Sequence, residues 1–246
     1  MVELIFIGMI YESFIIILTA IMLLFILKRY FIKRHRLTLI LFIIFINWFL
    51  SIIFSWLSKV LVIYSNIEYV YNASISDPGT ISSWFILRIV DFRISFVFVT
   101  IGTFFSYILN INLFEEDVNQ KQKLFIYIFG IFTAGYTLLI YERGNTLLDV
   151  FAFLFVFLYM SMIYLPFFKS LLKSYHSVND PTFKNAFLSL AVMSLFFMLV
   201  LLNFLIDRVL ILLGDPGFTF FYFLGWSCVI IGIVCAYLGY IKPKSK

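Results

Sequence analysis

Residues 37–63 read LTLILFIIFINWFLSIIFSWLSKVLVI, an apolar run in which Lys59 is the one charged side chain. As a helix rising about 1.5 Å per residue it reaches roughly 40 Å, more than the ~30 Å hydrocarbon core of a bilayer. An amphipathic soluble helix keeps a polar face, and this run is apolar all round, so it reads as a membrane span. Immediately before it stand Lys28, Arg29, Lys33, Arg34 and Arg36, and before those lies another apolar run, roughly 4–27. Because its positive residues follow the apolar segment, that first run reads as a retained anchor and not as a secretory signal.

Five more apolar runs follow at roughly 81–113, 124–141, 147–168, 185–213 and 218–241, each near or above the ~20 residues that a bilayer core requires. Several are long enough to tilt. Composition agrees: 63% of residues are hydrophobic and 13% charged, against roughly 45–50% and ~25% in soluble domains. Spans and short connections consume nearly the whole chain, so the expected fold is all-α, a single seven-transmembrane-helix bundle over residues 1–246. Asp180-Pro181 reads as a cap and first helical residue before the sixth span, and Asp77-Pro78-Gly79 and Gly214-Asp215-Pro216-Gly217 as turns.

Lys and Arg fall on alternate loops. Five lie in 28–36, two in 114–123, three in 169–184 and three in the tail, thirteen on one side, whereas the opposite connections hold only Arg143. By the positive-inside rule the N-terminus is expected outside and the C-terminus in the cytoplasm, with the plasma or cell membrane as the expected location. The net charge of +5 is thereby assigned to anionic lipid headgroups, and nucleic acid is not an expected partner. Asn72-Ala73-Ser74 is a glycan acceptor only in a eukaryotic secretory pathway. Cys228 and Cys235, seven residues apart, are separated by about 10 Å along a helix, too far for a disulfide.

Eight ionisable residues lie within or at the edge of the spans: Glu12, Lys59, Arg88, Asp91, Arg93, Asp149, Asp207 and Arg208. With the orientation applied, all fall in the outer parts of their helices. Four acids balance four bases, as a bundle that pairs its buried charges requires, so an outward-facing polar pocket is expected. Glu12, Arg88, Asp91, Arg93 and Asp207 are its candidate ligand-binding residues. Arg88 and Asp91, three apart, share a helix face and can pair or flank a ligand; Arg93 is rotated away and needs Glu12 or Asp207. Lys59, Asp149, Asp207 and Arg208 sit close enough to helix ends to snorkel into headgroups.

Along the seventh span Gly225, Cys228, Gly232, Cys235 and Gly239 recur at alternating spacings of three and four, a seam of small residues that lets backbones approach closely. It is expected to serve helix packing within the bundle, with homo-oligomer formation through the same helix as the alternative.

His35 and His176 are the only histidines, both in cytoplasmic loops, so zinc chemistry is not expected. No serine-nucleophile elbow, phosphate loop or zincin helix occurs, and Glu115, Glu116 and Asp117 read as a solvated charge run. Arg88-Ile89-Val90-Asp91 resembles the Arg and Asp spacing in the third helix of microbial rhodopsins. A retinal Schiff base needs a lysine inside the seventh span, however, and none occurs before Lys242, so no cofactor and no enzymatic activity are expected. The leading expectation is a sensor or receptor-like module that binds a small ligand from outside and signals through a cytoplasmic partner. Two alternatives remain: a small-solute transporter built from three helices, a linker helix and three more, and a structural subunit of a membrane complex.

Overall fold

The computed structural model describes residues 2–65, 67–73, 75, 79–114 and 119–242. Among these the chain folds as α1 (Val2–Lys33), α2 (Arg36–Tyr64), α3 (Ile81–Val90), α4 (Arg93–Phe114), α5 (Gln120–Leu139), α6 (Thr146–Ser177), α7 (Pro181–Leu212) and α8 (Phe220–Ala236), the last continuing as a π-helical segment, Tyr237–Ile241. Seven are long and apolar enough to cross a membrane: α1, α2, α4, α5, α6, α7 and α8 with its continuation. At ten residues α3 is too short. The architecture is an all-helical bundle of a multi-pass membrane protein.

Caps set several helix starts. Asp180 accepts from the Thr182 amide (2.7 Å) with Pro181 beginning α7, and Asn119 and Asn145 cap α5 and α6 in the same way. Gly214 and Gly217 take positive φ (110° and 85°) in the turn between α7 and α8, as the turn reading requires. Asp77-Pro78 of the other turn and the Glu115, Glu116, Asp117 run lie outside the described residues.

The third apolar run, expected as one helix over 81–113, is broken. Asp91 ends α3, Phe92 takes φ +62°, and Arg93 starts α4. A left-handed conformation costs a bulky residue roughly 1–2 kcal/mol. Packing offsets that cost: the Phe92 ring is buried beneath Lys59 Nζ (4.8 Å) and the Arg208 guanidinium (5.1 Å) and lies 6.1 Å from Tyr69. The break also frees the Val90 carbonyl, which accepts from Ser58 Oγ at 2.6 Å.

The loop after α2 is stitched to the α5–α6 connection by an isolated bridge between Ile75 and Arg143 and by the Ala73 amide donating to the Gly144 carbonyl (3.0 Å). Asn72 is held by the protein itself: its amide donates to Thr146 Oγ1 and its Nδ2 to the Ile211 carbonyl, both at 2.9 Å. Ser74, which would complete a glycan acceptor, lies outside the described residues. These contacts roof the end of the bundle at which α1 begins, called here the N-terminal end.

Packing is closest for α6 with α7, α7 with α8, and α2 with α4 and α1, whereas α5 packs mainly on α4 and α6. Two triplets, α1/α2/α4 and α6/α7/α8, thus stand on either side of the bundle and meet through α4 with α6 and α1 with α8. The glycine seam is used inside the chain: a Cβ on Gly225 would meet Phe204 at 2.7 Å, one on Gly232 would overlap Phe197, and one on Gly239 would overlap Leu190, all on α7. Cys228 is buried and Cys235 half-buried beside it.

Candidate functional site

The eight charges of the spans collect toward the N-terminal end, and seven of them are buried: Glu12, Lys59, Arg88, Arg93, Asp149, Asp207 and Arg208, with Asp91 half-buried. Lys59, Asp149, Asp207 and Arg208 therefore do not snorkel. The physical reason is cover: the folded-back 67–73 loop, Phe92 at the helix break and Phe218 before α8 close over them, with Tyr69, Phe92 and Phe218 themselves buried.

Glu12 of α1 and Lys59 of α2 form an ion pair at 2.7 Å, both fully buried. Ser55 Oγ (3.0 Å) and Tyr222 Oη (2.6 Å) donate to the same carboxylate oxygen, Oε1, and Lys59 also donates to the Ser55 carbonyl at 3.0 Å. Glu12 Oε2 has no hydrogen-bond partner. Lys59 is further enclosed by the rings of Phe92, Tyr222 and Phe218. An unpaired charge at this depth costs several kcal/mol while a hydrogen-bonded pair roughly breaks even, so the two residues require each other.

Arg93 pairs with Asp149 of α6, Nη2 to Oδ1 at 2.6 Å and Nε to Oδ1 at 3.1 Å, and not with Glu12 or Asp207. The break at Phe92 turns the Arg93 side chain toward α6. Tyr141 stands between Arg88 and Asp91: the guanidinium lies 4.6 Å from its ring and 4.0 Å from the Trp84 ring, and the Tyr141 hydroxyl donates to Asp91 Oδ2 at 2.6 Å. Burial first, and then the Asp91 carboxylate, raises the Tyr141 phenol above its ordinary value, keeping it a donor. Arg88 Nε donates to the Leu138 carbonyl at 2.8 Å. Asp207 accepts from the amide (2.9 Å) and the hydroxyl (2.7 Å) of Thr219, the residue preceding α8, so its charge sits at a helix N-terminus. Arg208 lies over the rings of Phe92 (5.1 Å), Phe153 (5.3 Å) and Tyr71 (5.7 Å).

Below these groups, between the two triplets, lies a small cavity of about 60 Å³. Aromatic and aliphatic side chains form most of its wall, among them Phe92, Phe96, Phe153, Phe204, Ile52 and Val99; its polar groups are Ser51, Ser55, Ser95, Asp207, Arg208, Tyr222 and the indoles of Trp48 and Trp226. Of these, Trp48 Nε1, Trp226 Nε1 and Ser95 Oγ are buried without a hydrogen-bond partner. Trp48 closes the inner end, stacked on Phe197 at 4.6 Å and 18°. Beyond that stack Asn47 returns its side-chain bond to its own helix at Ile43, as Asn203 does at Leu199.

Of the residues expected to bind ligand, Asp207 lines this cavity; Glu12 stands directly behind Ser55 and Tyr222, Arg93 behind the helix break, and Arg88 and Asp91 belong to the separate Tyr141 cluster. Trp48, Ser95, Arg208 and Trp226 are the lining residues that charge and spacing do not single out as ligand-binding. In a chain that is 21% aromatic, a functional indole carries no local signature.

Fold and site together define a polytopic helical membrane protein with a charge-roofed, aromatic-walled cavity between two helix triplets. No protein-family model matches the chain, and no similar curated protein or solved structure was found.

Proposed function

We propose that this chain is a receptor-like membrane module whose N-terminal end faces outside, which takes a small ligand into the cavity between the triplets and passes the change to a partner on the basic, cytoplasmic face. The observation that carries this reading is the cavity itself: about 60 Å³, room for roughly four or five water-sized groups, in a wall that is mostly apolar with few convergent polar groups, as small-molecule sites are. Coupling has a physical route. Trp48 lines the cavity and stacks on Phe197, which packs on Gly232 of α8 and meets Tyr164 of α6 edge-on (6.0 Å, 88°), and the Tyr164 hydroxyl bonds Ser106 of α4 at 2.9 Å. A ligand that moves Trp48 therefore disturbs the packing of five helices, α2, α4, α6, α7 and α8.

The test is a titration of the purified protein in nanodiscs with small organic solutes, read by tryptophan fluorescence and melting temperature, beside a Ser95→Phe variant that fills the cavity. Solutes that shift the parent and leave Ser95→Phe unmoved support the site. Responses that persist unchanged in the filled variant would remove it.

Solute transport is the second reading, favoured by the arrangement of two helix triplets about a central cavity with α5 between them and by the broken helix at Asp91–Phe92. It requires the Trp48–Phe197 stack to part, and uptake of the bound solute into proteoliposomes distinguishes it from signalling.

A further inference from the structure

We infer that the ligand of this cavity is a small organic monoanion, its carboxylate on Arg208 and its apolar body against the aromatic wall; the inference rests on the cavity being a ligand site. Among the unsatisfied groups of the wall donors predominate, since only the Ser95 hydroxyl can also accept. The indole N–H groups of Trp48 and Trp226 donate only, and both lack an acceptor. Arg208, 7% exposed and part of the lining, also donates only; among the described residues no carboxylate lies in salt-bridge reach of it, and the acceptor beside it is the neutral Tyr71 hydroxyl. Its other contacts are with rings, which attract a cation without accepting the directed bonds of a planar guanidinium.

The carboxylates that might serve Arg208 are engaged elsewhere. Asp149 pairs with Arg93, Glu12 with Lys59, Asp91 takes the Tyr141 proton donor, and Asp207 holds Thr219 at the start of α8. A cationic or purely donor ligand would add donors to a wall already rich in them. An acceptor group of single negative charge satisfies Arg208 in a forked pair and leaves its second face to an indole N–H or to Ser95. A phosphate dianion fits poorly, since one guanidinium alone faces a largely apolar chamber.

The experiment compares acetate, propionate and butyrate with their uncharged amides at neutral pH, on the intact protein in nanodiscs, with Ser95→Phe subtracting partition into lipid. At least one acid is expected to bind about tenfold or more tighter than its amide, Arg208→Gln to erase that preference, and Trp226→Phe, which keeps the ring and removes the donor, to weaken the acid severalfold. Should Arg208→Gln not fold, Arg208→Lys reads the same contrast by retaining charge without the fork. Acids and amides binding the parent equally would overturn the anion assignment and leave the cavity as a ligand site. Binding of neither set, or acid binding indifferent to both Arg208 and Trp226, would overturn the proposal, and failure of all six probes would count against the cavity reading as well.

Discussion

Lys59→Met is the most informative single change. It keeps the length of the side chain and removes the charge that faces Glu12 at 2.7 Å. Glu12 would then keep two donors, Ser55 Oγ at 3.0 Å and Tyr222 Oη at 2.6 Å, with no positive partner and no water access. Removing one partner of a buried pair costs about 3–5 kcal/mol. That is well above the ~0.6 kcal/mol of an average interhelical hydrogen bond in a bilayer, so the effect reads out charge and not one lost bond. Glu12→Met should cost a similar amount, because Lys59 would keep only the Ser55 acceptors and its aromatic neighbours. The double variant leaves no charge: only the Ser55 and Tyr222 hydroxyls lose a partner, at about 1–3 kcal/mol each at most. The singles should therefore sum to well above the double, a coupling of several kcal/mol. Equilibrium unfolding of all four proteins in mixed detergent micelles measures the cycle. Additive single effects, or a Lys59→Met protein within about 1 kcal/mol of the parent, would refute the pair as the organising contact between α1 and α2.

Three further outcomes are expected. Gly232→Leu drives a side chain into Phe197 of α7 and should lower stability by roughly 1–3 kcal/mol; a variant that melts like the parent would mean the seam is not packed. Tyr141→Phe removes the donor to Asp91 Oδ2 and should cost about 1 kcal/mol in the parent and nearly nothing in an Asp91→Ala background, where no acceptor remains; equal cost in both backgrounds would dissolve that cluster. Cysteine placed at Lys173 should react with a membrane-impermeant reagent only after permeabilisation, and cysteine at Asn145 without it, and the reverse pattern would invert the proposed orientation.

The spans, the alternation of basic loops and the close-packing seam were legible in the chain because each depends on local composition. A bilayer demands apolar length, and a glycine row permits close approach whatever the partner. The seam's partner was not legible. Gly225, Gly232 and Gly239 meet Phe204, Phe197 and Leu190 of α7, and a run of small residues does not state which neighbour fills it. Nor was the break at Phe92: residues 91–93 contain no Gly or Pro, and the left-handed turn is imposed by Lys59, Arg208 and Tyr69, which arrive from other parts of the chain.

The candidate site divides in the same way. Sequence alone determined that charged residues gather toward one end of the bundle, because their depth along each helix follows from counting. Which charges touch was a tertiary matter: Lys59 with Glu12, Arg93 with Asp149, and Tyr141 inserted between Arg88 and Asp91. Helix rotation and the roofing loop decide these contacts, and neither is encoded by spacing within one span. The cavity exists only because two helix triplets meet along faces that leave Trp48, Ser95, Arg208 and Trp226 looking into one space. That convergence belongs to the packed bundle, since a side chain acquires an unsatisfied donor only when everything around it has been placed.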